Sequence, residues 1–144
     1  MKLLRFKSPS HLAKMNIGDR AEAFTAWICG GQVVKRHEHD VDCWDGDLIE
    51  CKSRTQGTDG RYSRVALFEK YFNGRTNYVA LYYFNSYKQT ELALVISTTT
   101  LRPHFYAHAK LYKGRPRWRP SRAFIEGLGG RDITADALRI EALL

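Results

Sequence analysis

Cysteine is scarce in this chain: three residues in 144, Cys29, Cys43 and Cys51, with no C-x-x-C pair among them. An odd number at such spacings argues against a disulfide framework and a structural zinc knuckle, and leaves a reducing compartment as the simpler setting. Long apolar runs are missing as well. No stretch approaches the roughly 18 apolar residues of a membrane span, and the charged N-terminal segment is not followed by the apolar core of a signal peptide. The expectation is a soluble, intracellular protein of the cytoplasm or nucleoid, with no membrane partner. With 4 prolines, 11 glycines and no internal repeat, the chain is neither a linker nor a solenoid. Acidic residues are the minority charge, 15 against 23 Lys and Arg, and the net charge of +8 points to a polyanionic partner.

Apolar residues make up 44% of the chain and aromatics 12%, enough for one core, so residues 1–144 read as a single domain. The excess charge is unevenly placed. Residues 1–18 hold four basic side chains and no acid, and residues 102–122 hold seven and no acid. Between these basic flanks, six carboxylates fall from Glu38 to Glu50 with no Lys or Arg among them. Two basic stretches thus flank an acidic knot.

Hydrophobic periodicity orders the elements. Asp19 and Glu22 have capping-box spacing, and Ala21, Phe24, Trp27 and Ile28 recur at helical intervals until Gly30-Gly31, which predicts a helix from about Arg20 to Cys29. Gln32–Cys43 and Leu48–Ser53 read as strands joined by the Asp-Gly turn of Trp44-Asp45-Gly46-Asp47. A polar loop, 54–63, precedes a predicted helix at 64–72 with Val65, Phe68 and Phe72 on one face. Tyr78–Phe84 and Leu92–Ile96 are continuous apolar runs suited to strands covered on both faces. The last segment reads as a helix behind a Thr134 cap, its Ala137, Leu138, Ile140 and Leu144 either closing the core or forming a dimer contact. The order predicts an α/β domain with a mixed sheet, its core at about 18–97, and a basic aromatic segment plus C-terminal helix over 98–144.

Alternate strand residues share a face, so Glu50 and Lys52 point one way while Ile49 and Cys51 point the other. A three-residue turn places Asp42 opposite Glu50, two carboxylates within reach of one cation with a lysine beside them; a two-residue turn places Val41 there instead. Asp42 followed by Glu50-Cys51-Lys52 resembles the D…(D/E)-x-K signature of the PD-(D/E)XK nuclease superfamily. Gly18-Asp19-Arg20-Ala21-Glu22 opening the first helix, and Ile49-Glu50-Cys51-Lys52-Ser53-Arg54 ending the hairpin, are similar to the archaeal-type Holliday junction resolvases. The resemblance spans about Gly18 to Phe84. It implies a restriction-endonuclease-like core, with the active site on the β-hairpin, and a Mg²⁺-dependent DNA endonuclease, with Mn²⁺ able to substitute. On that resemblance Asp42 and Glu50 are direct metal ligands, the Cys51 carbonyl adds a third oxygen, Lys52 orients the attacking water, and Glu22 holds a second ion or its water. The substrate is branched or duplex DNA, and two symmetric cuts call for a homodimer.

Each residue also has a plainer reading. Glu22 can cap its helix, Glu50 and Lys52 can be strand surface charges, and Asp40, on the same strand face as Asp42, competes for the ligand role. His37, His39, Asp40 and Cys43 can be read as a transition-metal set, though ligands at every second strand position lack the loop geometry of zinc sites. Arg54, Arg61 and Arg64 around the glycine loop are candidates for holding the DNA backbone. So are Lys113, Arg115, Arg117 and Arg119, with the Trp118 ring available for stacking. A site-specific homing or restriction-like endonuclease, a nickase, and a non-catalytic DNA-binding module remain the alternatives.

Overall fold

The computed structural model describes residues 14–34, 41–42 and 46–144, positions 41–42 as backbone only. Helix α1 (Ile17–Cys29) begins three residues before the expected start, because Asn16 rather than Asp19 caps it: the Asn16 side chain accepts the Asp19 N–H at 2.8 Å. Gly30, at φ 71°, ends it, with Gly31 N–H bonded to Ala26 O and Gly30 N–H to Trp27 O, a paired closure that needs a left-handed residue. Two capping spacings, Asn16 to Asp19 and Asp19 to Glu22, compete here, and the geometry selects the earlier. Asn16→Ala should therefore cost about 1 kcal/mol in chemical denaturation and Asp19→Ala clearly less; the reverse order would mean the cap is misassigned.

The expected strand Gln32–Cys43 is not one strand. Its described parts are β1 (Gln32–Val33) and β2 (Val41–Asp42), which pair with each other antiparallel, Gln32 with Asp42 and Val33 with Val41. Then come β3 (Leu48–Thr55), β4 (Leu67–Phe68), a short α2 (Lys70–Asn73), β5 (Tyr78–Phe84) and β6 (Thr90–Ser97). Helix α3 (Thr98–His108), β7 (Lys110–Tyr112), β8 (Arg115–Trp118), α4 (Arg122–Glu126), β9 (Arg131–Asp132) and α5 (Thr134–Glu141) complete the chain. The main sheet is mixed, in the order β1-β2-β3-β5-β6-β9, with β3 and β5 parallel and the other neighbours antiparallel. A second sheet has the order β4-β8-β7.

Strand β5 is apolar throughout because both of its faces are covered, as the continuous run predicts. Ala80, Tyr82 and Phe84 enter one core with Ala21 and Phe24 of α1 and Ala137 and Ile140 of α5. Val79, Leu81 and Tyr83 enter a second core with Val65, Leu67, Tyr71, Leu101, Phe105 and Trp118. The parallel pairing of β3 and β5 needs a crossover, and residues 56–77 supply it over the second core.

That crossover contains the largest departure from expectation. Residues 64–72 do not form a helix: Leu67 and Phe68 are a strand paired to Trp118 and Arg117, and only Lys70–Asn73 is helical. Val65 and Leu67 are fully buried while Ala66 and Phe68 are only partly so, a period of two imposed by a partner strand some fifty residues later. Thr134 is not a cap either. The Asp132 carboxylate accepts the Thr134 N–H at 2.9 Å, and Thr134 Oγ1 accepts the Ala93 N–H. In the last helix Ala137 and Ile140 close the first core, whereas Leu138, and Leu144 beyond the helix end, are exposed. Among the described cysteines Cys29 is disulfide-bonded and Cys51 is not, which corrects the expectation of a chain without disulfides.

Candidate functional site

Strand β3 sits inside the main sheet, and its alternation separates two functions. Ile49 and Cys51 pack toward α1, where the Cys51 thiol donates to Thr25 Oγ1 at 3.5 Å. Thr25 in turn shares a 2.8 Å hydrogen bond with the Tyr82 hydroxyl, which burial pushes well above its ordinary pKa. This side is a packed interior. Glu50 and Lys52 alternate to the other face, and the Lys52 ammonium lies 3.6 Å from Glu50 Oε1 and 4.8 Å from the centre of the Tyr71 ring.

Glu50 is 7% exposed, an unusual position for a carboxylate and hard to reconcile with a surface strand charge. The ion pair and the ring hold Lys52 in one place while leaving its side chain 24% exposed, so its remaining N–H groups can meet an incoming ligand. Tyr71 is a residue that sequence reasoning missed. It fell within the expected helix 64–72 but off its apolar face, and nothing in the spacing ties it to Lys52.

The register differs from the one the three-residue turn gives. Asp42 pairs with Leu48 and Val41 with Ile49, a shift of two residues. A shift of one would send the position to the opposite face; a shift of two keeps it on the face of Leu48, Glu50 and Lys52. Position 42 is thus a diagonal neighbour of Glu50, at a distance typically of about 7–8 Å. Asp40, His37, His39, Cys43 and Asp45 lie outside the described residues, as do residues 1–13 of the basic N-terminal arm. Among the described residues no three His, Cys, Asp or Glu side chains cluster as a metal site.

Glu22 is buried in α1 at 8% exposure. With the cap moved to Asn16, Glu22 lies in the second turn and the capping reading of this residue falls away. Ile28 and Cys29 line the same small cavity as Asp47 and Ile49, and Thr25 meets Cys51, so α1 runs antiparallel to β3. Glu22, one turn further toward the N-terminus, is then roughly level with Lys52 and Ser53. It reaches the Glu50 face only around the β2 edge of β3, where the described pairing covers Leu48 and Ile49 alone.

The arginines expected to meet DNA divide into distinct groups. Arg54 continues the Glu50 and Lys52 face; its Nε donates to Arg64 O at 3.0 Å, and Arg64 Nη1 donates to Arg119 O at 3.2 Å. This chain links the end of β3 to the second sheet. Arg61 is on the exposed glycine loop. Lys113 and Gly114, both at positive φ, form the two-residue turn between β7 and β8, so the basic segment is a hairpin rather than an irregular stretch. Arg115 is exposed, and Arg117 stacks 3.6 Å above the Tyr112 ring centre.

Trp118 is not available for stacking. It is 6% exposed in the second core, stacked against His104 and His108 with Phe124 at its edge. Arg122 is likewise tied down, 2.8 Å from Glu126 and 3.9 Å from Glu91, beneath the rings of Tyr62 and Tyr83. Tyr62 donates to Glu91 at 2.8 Å, and burial together with that bond raises its pKa to about 12.

No family model and no curated protein matches the chain. Among the described residues no helix is long and apolar enough to cross a membrane.

Proposed function

We propose that this chain is a metal-dependent DNA endonuclease of the PD-(D/E)XK type, selective for branched DNA in the manner of a Holliday junction resolvase. The observation that carries the reading is the buried Glu50 carboxylate paired with Lys52 on one face of β3, with position 42 on that same face. A buried acid beside a fixed, accessible ammonium is the arrangement a hydrolytic centre needs and a surface strand does not.

On this reading Glu50, Asp42 and the Cys51 carbonyl would hold the ion and Glu22 a second ion or its water, all of them oxygen donors. That set suits a hard cation such as Mg²⁺ or Mn²⁺ rather than a soft one. When bound, the ion activates water and stabilises charge on the phosphorus centre. The chain's own residues do the remaining work. Glu50 fixes the Lys52 ammonium, whose free N–H groups orient the attacking water or hold a non-bridging phosphate oxygen as the P–O bond to the leaving group breaks. Arg54, further along the same face, and Arg64, whose backbone it bonds, would hold the next phosphates. Leu138 on the last helix and Leu144 just beyond it are exposed and offer apolar surface for the homodimer that two symmetric cuts require.

Substrate choice is read by supplying Mg²⁺ with end-labelled four-way junction, flap and matched linear duplex of the same sequence. The reading predicts junction cleavage at least about tenfold faster than duplex, a difference of roughly 1.4 kcal/mol in barrier height. Equal rates on junction and duplex would replace the resolvase assignment with an unselective or site-specific nuclease. Salt-sensitive binding of all three without cleavage would leave only a DNA-binding module.

A further inference from the structure

The second sheet does more than cap the core. Between β7, β8, the end of α3 and α4 lies a cleft of about 440 Å³. Arg64, His108, Lys110, Arg117 and Arg119 line it, no Asp or Glu does, and Phe124 stands at its wall. Its apolar parts are open: Leu111 is 78% exposed, Tyr112 42% and Phe124 38%. Cations and uncovered apolar surface share one concavity of nucleotide size.

The cleft is also connected to the Glu50 site. Lys52 and Arg54 follow Glu50 along one face of β3, Arg54 bonds to the Arg64 backbone, and the Arg64 guanidinium bonds to the Arg119 backbone. Arg64 and Arg119 are themselves lining residues. From Glu50 to Arg54 is four strand residues, about 13 Å. A continuous basic track therefore runs from the proposed centre to the cleft, all on the side of the main sheet that carries the second core.

We infer that this cleft binds an unpaired segment of nucleic acid, its phosphates held by Arg64, Lys110 and Arg119 and a base resting on the Phe124 and Leu111 wall. A duplex presents paired, stacked bases and cannot insert one into a concavity; an unpaired strand can, and cations beside an aromatic wall are what such strands use. The inference deepens the proposed function, resting on it for the kind of nucleic acid bound, but binding itself needs neither metal nor cleavage.

The test is fluorescence anisotropy in EDTA with a labelled strand of about 15 nucleotides, alone and annealed to its complement. The single strand should bind more tightly than the duplex. Lys110→Glu combined with Arg119→Glu should weaken single-strand binding at least about tenfold and flatten its salt dependence by about 0.7 per lost contact. Phe124→Ala, checked for folding by circular dichroism, should weaken the single strand about fivefold or more and the duplex little. Arg139→Glu, on the helix covering the opposite core, should change neither. Unaltered single-strand affinity in both the charge-reversal and Phe124 variants, or equal losses for strand and duplex, would overturn the cleft as a site for unpaired nucleic acid. Loss of binding in the variants with no Mg²⁺-dependent cleavage by the wild type would sustain the cleft and refute the nuclease.

Discussion

Lys52→Ala is expected to lower the single-turnover rate of metal-dependent cleavage by about 10²–10⁴-fold, the range for removing a group that positions or exchanges a proton at the reacting atoms. Glu50→Ala should lower it at least as far, because it removes a metal-holding oxygen and releases Lys52 as well. Neither loss should come from unfolding. Lys52 is partly exposed, its ammonium rests over the Tyr71 ring, and truncating it opens a path for solvent to Glu50. Anisotropy in EDTA should show DNA affinity reduced by no more than a few-fold in Lys52→Ala, since one phosphate contact among several is lost. Lys52→Arg tests position against charge: it keeps the cation and changes its reach, so a large remaining defect would locate the effect in geometry. If Lys52→Ala and Glu50→Ala both cleave within threefold of wild type, Glu50 and Lys52 are a structural pair and the site lies elsewhere.

The largest effect on stability should come from Glu141→Ala. Glu141, in the last helix, lies 3.8 Å from Arg20 of α1, with both side chains nearly covered at 11% and 6%. Its Oε1 also accepts the Thr90 N–H at 2.7 Å and the Thr90 hydroxyl at 2.5 Å. Arg20 donates to Lys88 O at 3.0 Å, has a buried Nε with no partner, and rests 5.4 Å above Phe24. Burial lowers the Arg20 pKa and Glu141 opposes that shift, so the carboxylate is what keeps the buried cation tolerable. Removing it strands one charge and two donors, which should cost about 3–4 kcal/mol and lower Tm by roughly 10 °C. Glu141→Gln keeps an acceptor for Thr90 and should cost less. Arg20→Met, replacing the cation with an apolar side chain of similar length, should cost less than Glu141→Ala, because no buried charge remains. A loss below 1 kcal/mol for Glu141→Ala in denaturant titration would mean the pair is solvated in solution.

What the sequence disclosed follows from where the deciding contacts lie. The strands Tyr78–Phe84 and Leu92–Ile96 were legible because burial on both faces writes itself as an unbroken apolar run, and the body of α1 because its period is local. The start of α1 was misread because Asp19-to-Glu22 and Asn16-to-Asp19 both satisfy capping spacing. Residues 64–72 were misread because Val65, Phe68 and Phe72 also fit a helical face, and only the pairing of Leu67 with Trp118 selects a strand. Basic and aromatic composition did not distinguish Trp118, sealed inside the core, from Tyr112 and Phe124 at the surface.

The site shows the same division. That Glu50 and Lys52 share a face follows from strand alternation alone. Their register against Asp42 depends on the length of the intervening turn, which residue types do not determine, and the observed shift of two residues preserves the face but not the direct opposition. The Arg54–Arg64–Arg119 chain and the ring of Tyr71 under Lys52 join residues distant in sequence, through backbone carbonyls and packing that no local pattern encodes.

The central claim is that the Glu50 carboxylate holds the metal on which cleavage depends. It is tested most directly by single-turnover cleavage of a labelled four-way junction by wild type and Glu50→Gln, each with Mg²⁺ and with EDTA. The account predicts cleavage by wild type in Mg²⁺ only, and a rate in Glu50→Gln at least about 10³-fold lower with folding intact, as for loss of a principal electrostatic group in an active site. Wild-type cleavage that persists in EDTA, or a Glu50→Gln protein that cleaves in Mg²⁺ as fast as wild type, would contradict it.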